Sequence, residues 1–205
     1  MKNKYFKFSE SRFYHISKFI DRNKFILIEF GFGSGKTLFD IKRIYPASEL
    51  FGFDFIFQTK SKKLFLFKED FNNFNYKKYL RLFNKTDYFL FLDVLEHLLE
   101  PFDFLNSLNL HARKESKFII TCPNFSSLRM FIAWVGGRLP RNPYGFFDVT
   151  HLHWYVPLDF LEFFEKAKFS HCEYEYIFSN NTFFKLIQKI YPPRLCSQFI
   201  IIASK

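Results

Sequence analysis

The stretch Glu29–Asp40, EFGFGSGKTLFD, decides the fold of this chain. It follows the apolar run FILIEF and leads into a segment of helix length. Three glycines alternate with other residues, and the motif closes on Gly-Lys-Thr, so two readings compete. One is a loop that wraps a nucleoside triphosphate; the other is a glycine loop that approaches a nucleoside without gripping phosphate. A phosphate-wrapping loop needs the spacing G-x-x-x-x-G-K-[ST]. Five positions before Gly35 stands Phe30, and Gly31 leaves only three residues between, so the loop is one residue short. No later strand ends in an acidic pair suited to Mg²⁺. The second reading fits the spacing. A second apolar run, LFGFDF, carries Asp54 at its end, where a carboxylate accepts hydrogen bonds from ribose hydroxyls.

Outward from this stretch, short apolar runs alternate with helix-length segments. The pattern predicts strands at Phe25–Phe30, Leu50–Phe55, Leu64–Phe67, Tyr88–Leu92, Phe118–Cys122, Glu173–Phe178 and Phe199–Ala203. Several are almost wholly apolar, as strands covered on both faces of a parallel sheet must be. Helices are predicted at Gly35–Ile44, Tyr76–Phe83, Phe102–His111, Pro157–Lys166 and Thr182–Ile190, with a leading helix over Arg12–Ile20. The expected fold is therefore α/β, a Rossmann-like doubly wound sheet in one domain spanning residues 1–205. Residues 124–155 break the alternation with a helical stretch and a Pro/Gly-rich loop. An insert of that size after a late strand is expected on the acceptor side of the site, as a lid.

Composition narrows the partners. The formal charge is +10, from 30 Lys and Arg against 20 Asp and Glu. It describes either a lysine-coated surface or affinity for an anionic partner. The lysines are scattered, so no nucleic-acid-binding arm is expected. Cys122, Cys172 and Cys196 form an odd set without metal or disulfide spacing, which suits a reducing cytoplasm. The opening MKNKYFKFSE lacks a signal-peptide core, and charges interrupt every later apolar run, so no membrane span is expected. Peripheral association stays open. The 34 phenylalanines are read as core filler unless position argues otherwise.

After the third strand comes Asp70-Phe71; the fourth runs into LDVLEHLLEP and the fifth into IITCPN. With the glycine loop and Asp54, these residues resemble the class I S-adenosylmethionine-dependent methyltransferases. Similarity is greatest to the branch carrying D-V-L-E-H after strand four and P-N after strand five, which includes ubiquinone-biosynthesis and polysaccharide-cluster O-methyltransferases. The resemblance implies a seven-stranded sheet of order 3-2-1-4-5-7-6 with the last strand antiparallel, and S-adenosyl-L-methionine as cofactor. It places Glu29, Gly31, Gly33 and Gly35 at the methionine end of the cofactor, Asp54 at the ribose, and Asp70 and Phe71 at the adenine. Asp93 faces the cofactor amino group or the acceptor. Two departures stand out: Phe32 is bulkier than the small residue usual between the first two glycines, and the span from Asp54 to Leu64 is short for a second helix.

The acceptor is less legible. The Asp/Asn/Ser-Pro-Pro-aromatic motif of DNA amino-methyltransferases is missing after strand four, where the chain reads LDVLEH. O-methylation of a small-molecule, glycan-precursor or quinone hydroxyl is the leading expectation. A cofactor-binding accessory protein without turnover and an RNA methyltransferase are the alternatives. His151, with His153 as substitute, is the candidate general base, and Asp148 three residues earlier is the candidate to orient it; a purely structural role for both histidines is the competing reading. No metal is expected, because Glu96 and His97 as neighbours on a helix face different ways.

Overall fold

The computed structural model describes residues 13, 15–56, 61–178 and 186–205. Its frame is a seven-stranded sheet of order β3-β2-β1-β4-β5-β7-β6. The strands are β1 (Ile26–Phe30), β2 (Glu49–Asp54), β3 (Phe65–Lys68), β4 (Tyr88–Leu92), β5 (Lys117–Pro123), β6 (His171–Ile177) and β7 (Gln198–Ser204). The first five pair in parallel, and β7 lies antiparallel to both β5 and β6. Order and direction match the expectation.

Each strand's composition follows from its place. Central β4, YFLFL, is buried at every position because helices cover both faces. Edge strand β6, HCEYEYI, alternates exposed and half-buried side chains, as an antiparallel edge with one wet face does. One face of the sheet carries α2 (Leu80–Phe83), α3 (Pro101–His111) and α5 (Pro157–Lys166), which contribute Phe83, Phe104, Leu108, Phe160 and Phe164 to the larger core. The other face carries α1 (Lys36–Ile44) and the stretch around Ile16 and Ile20. The predicted leading helix is described only from residue 13, with residue 14 also outside the described residues. Residues 182–185 of the predicted Thr182–Ile190 helix lie outside them as well.

Phenylalanine has a definite use here. Parallel strands about 4.8 Å apart put side chains at the same register at ring-stacking distance. Phe67, Phe53, Phe30 and Phe91 take one such row across β3, β2, β1 and β4, with centroids 5.0, 5.3 and 5.0 Å apart. Phe118 on β5 extends the stack at 6.4 Å from Phe91.

Two local departures from expectation bear on the site. The predicted helix Tyr76–Phe83 is a 3₁₀ turn over Tyr76–Tyr79 followed by the single α-turn of α2. The stretch after β4 is also a 3₁₀ turn, Leu95–His97, not an α-helix. The insert supplies α4 (Leu128–Val135), then an irregular loop through Tyr155, with a short α6 (Pro192–Leu195) beside it.

Candidate functional site

The loops at the carboxyl ends of β1, β2, β3 and β4 enclose a cavity of about 440 Å³. Gly31, Asp54, Asp70, Phe71, Asp93 and His97 are among its walls. Gly31 turns the chain out of β1 at φ +70°, where its N–H donates to the Phe53 carbonyl at 2.8 Å. A Cβ there would lie 2.4 Å from Val94 Cγ2, so only glycine lets the loop approach β4 this closely. Gly35, at φ +73°, is the left-handed N-cap that starts α1. Lys36 and Thr37 enter α1 and do not line the cavity, so the Gly-Lys-Thr grips nothing there. Phe32 is buried in the second core, packed toward Gly52, and leaves the cavity open despite its bulk.

Asp54 accepts from the Gly33 N–H at 2.7 Å and the Ile56 N–H at 3.2 Å, which ties the glycine loop to the end of β2. An ionised carboxylate has about four acceptor sites, so capacity for ligand hydroxyls is left. Asp70 caps the 3₁₀ turn Phe71–Asn73 through Asn72 N (3.0 Å) and Asn73 Nδ2 (2.9 Å). The Phe71 ring rests edge-on against Phe30 at 5.5 Å. Glu29, buried in β1, does not line this cavity. Gly33 meets it through the bond to Asp54 and not as a wall. Among the described residues no helix forms between β2 and β3.

A second cavity, about 700 Å³, opens between the end of β4 and the insert. Its walls include Glu96, Arg129, Tyr144, Asp148, His151 and Gln198. Asp93 and His97 line both cavities. Asp93 sits at φ +55°, a left-handed conformation costly for a residue with a Cβ. Several bonds hold it there. Its N–H donates to the Thr121 carbonyl (3.0 Å), and its carboxylate accepts from Thr121 Oγ1 (2.9 Å) and Gln198 Nε2 (3.1 Å). Gln198 and Thr121 carry no signal in the sequence; they come together only because β7 returns antiparallel beside β5.

The histidines are arranged differently from expectation. Asp148 accepts from Thr150 N (2.8 Å) and Thr150 Oγ1 (2.6 Å). His97 Nδ1 lies 2.9 Å from that same Oγ1 and 3.2 Å from the Thr150 carbonyl. Since the hydroxyl proton is committed to Asp148, the His97 Nδ1–H is the donor, which leaves Nε2 free of this contact. The Asp148 carboxylate therefore orients His97 through Thr150, not His151. Burial pushes the Asp148 carboxyl up, but the two Thr150 bonds and the nearby imidazoles outweigh it and bring it below the usual range.

His151 packs against His97, ring centroids 4.8 Å apart, with Nε2 3.9 Å from the buried Glu96 Oε1. Burial, aided by His97, lowers its pKa from the ordinary 6.5, so it is neutral at pH 7. His153, the substitute candidate, does not line the second cavity; its Nε2 donates to the Leu98 carbonyl at 2.9 Å and pins the insert to the turn after β4. Leu152 and His153 amides both donate to the Glu96 carbonyl at the same seam. Glu96, His97 and His151 each offer one ligand atom, all within 4.8 Å of one another. Glu96 and His97 thus do bring ligand atoms near one another, contrary to the helical reading, because the insert docks on this turn and sets His151 against both.

No protein-family model matches the sequence, and no curated protein matches it. Solved structures do match the fold. A SAM-dependent methyltransferase from Archaeoglobus fulgidus superposes with a TM-score of 0.65 at 18% identity, over 99% of this chain and 100% of that one. The plantazolicin methyltransferase, in complex with a pentazolic desmethyl analogue and S-adenosylhomocysteine, gives 0.62 at 15%, over 100% and 86%. Phosphoethanolamine N-methyltransferase 2 of Haemonchus contortus, with S-adenosyl-L-methionine, gives 0.64 at 14%. There 95% of this chain covers 52% of that one, so this chain spans about half its length. The architecture is that of the class I methyltransferase fold.

Proposed function

We propose that this chain is an S-adenosylmethionine-dependent methyltransferase acting on a hydroxyl of a small or carrier-linked acceptor. One observation carries the reading: two cavities of nucleoside and acceptor size meet at Asp93 and His97. The first has three carboxylate walls, Asp54, Asp70 and Asp93, and no Lys or Arg among its lining residues. Such a pocket favours a cation and repels phosphate. When bound, the cofactor supplies a methyl group on a cationic sulfonium. Asp54 would hold the ribose hydroxyls, Asp70 and Phe71 the adenine, and Gly31 and Asp93 the methionine end. Glu29 stands buried near the end of β1, ahead of the loop.

The chain's own contribution to rate is alignment, because methyl transfer is an in-line displacement and the two cavities fix the direction of approach. His151 is placed to take the acceptor proton, since it is neutral and faces the second cavity. Removal of the Asp54 carboxylate tests the reading. Asp54→Ala should weaken S-adenosylmethionine binding by roughly 30- to 150-fold, from about 2–3 kcal/mol of lost charge-assisted bonds. Calorimetry reads this directly, and an affinity equal to that of the unaltered chain would sink the assignment. ATP should bind no better than adenosine. Turnover against a panel of glycan-precursor and quinone hydroxyls, with amines as controls, separates an O-methyltransferase from an N-methyltransferase and from an accessory binder.

A further inference from the structure

Helix α4, LRMFIAWV, has no buried residue. Phe131, Ile132, Trp134 and Val135 stand 53–69% exposed, an unusual face for a globular surface. Beside it runs the segment 186–197, joined through Arg194 Nη1 to the Ser126 carbonyl (2.7 Å) and Asn124 Nδ2 to the Pro193 carbonyl (2.9 Å). That segment adds exposed Ile190 and Tyr191. Residues 124–147 and 186–197 contain no Asp or Glu, in a chain with 20 of them, yet they carry Arg129, Arg138, Arg141, Lys189 and Arg194. Aliphatic and aromatic side chains interleaved with cations alone are complementary to one kind of surface: apolar just beneath, anionic on top.

We propose that α4 and the adjoining 186–197 segment dock on an anionic membrane surface. The proposal rests on the methyltransferase reading for one further step, that the acceptor is a lipid-linked hydroxyl compound entering from the bilayer interface. Arg129 of α4 and Tyr144 of the following loop line the second cavity, so the docking face adjoins the acceptor mouth. The Arg129 guanidinium lies 5.1 Å from the Phe146 ring and 5.3 Å from Phe147, which covers the entrance with a cation on apolar walls. A second copy of the chain fits less well: an isologous contact would press arginines against arginines with no carboxylate between. A helix of this length lies in the interface plane and does not span, consistent with no described helix being long and apolar enough to cross.

Flotation of the full chain with vesicles of phosphatidylcholine, with and without phosphatidylserine, tests this. Partitioning onto the serine-containing vesicles should exceed that onto neutral ones by tenfold or more and should fall with salt. Phe131→Ser/Trp134→Ser should abolish it, and Arg138→Gln/Arg141→Gln should reduce it by about 10- to 30-fold. None of these four residues lines either large cavity, so S-adenosylmethionine affinity and thermal midpoint should not change. No partitioning by the unaltered chain, or partitioning indifferent to both double variants, would overturn the proposal. So would a dimer by sedimentation that Phe131→Ser/Trp134→Ser dissolves, which would give the face to a second copy. Failure of the methyltransferase reading shows separately, as absent cofactor binding by a chain that still floats.

Discussion

At the scale of single residues, we take His151 as the candidate base, and His97, not His153, stands beside it at the second cavity. His151 is buried beside another imidazole, so its charged form is disfavoured. A base must be neutral to accept a proton, so kcat should decline only as pH falls through a value below 6.5. His151→Ala should lower kcat by roughly 10²–10⁴-fold, leave cofactor affinity unchanged, and remove that ionisation from the profile. If the ionisation survives in His151→Ala and disappears in His97→Gln, His97 is the base. The same shift acts on stability. Between the depressed folded value and about 6.5, the unfolded chain binds the proton and the folded chain does not, so stability is lost as pH drops across that window.

At the scale of elements, the turn Leu95–His97 shows where sequence reading stopped. A 3₁₀ turn sets neighbours about 120° apart, against about 100° in an α-helix, so neither conformation by itself aims Glu96 and His97 at one point. The turn is closed by His97 N to the Val94 carbonyl at 3.0 Å, and the insert, docked on the Glu96 carbonyl, brings His151 against both side chains. Nothing in the spacing of DVLEH shows this meeting, because it depends on Leu152 and His153, which dock on the Glu96 carbonyl from more than fifty residues later. The convergence raises the question of an ion. Ligand atoms around tetrahedral zinc stand about 3.4 Å apart, for bonds of ~2.1 Å. Here they spread to 4.8 Å, Glu96 already accepts the Cys122 thiol at 3.8 Å, and His97 is engaged by Thr150. We expect dialysis against EDTA to leave turnover unchanged; loss restored by a divalent cation would put an ion at this seam.

At the scale of the whole molecule, the alternation of strands and helices and the glycine loop were legible because they rest on local patterns, apolar runs of strand length and an acid at a strand end, whereas sheet order and the antiparallel last strand came with the family resemblance those motifs carry. The second cavity was legible only as an irregular insert, since its walls come from β4, the insert and β7 at once. Phenylalanine content was read as filler, and much of it is an ordered row that ties five strands together. Phe30, fully buried between Phe53 and Phe91, is its centre. Phe30→Ala should cost about 3–5 kcal/mol in denaturant unfolding, through the cavity it leaves among Phe53, Phe71, Phe74, Phe91 and Phe104. A cost under 1 kcal/mol would mean that the row closes up without it.

That row also sets a tempo. A ring stacked on both sides cannot turn about its own axis until its neighbours part, so Phe30 and Phe91 report collective breathing of the sheet, not private side-chain motion. Phe30 bears on Phe71, which stands in the wall of the first cavity. A ligand that fixes Phe71 is therefore expected to slow the flipping of the Phe30 and Phe91 rings, so that aromatic NMR line shapes in the sheet's interior would report occupancy of the cavity at its edge.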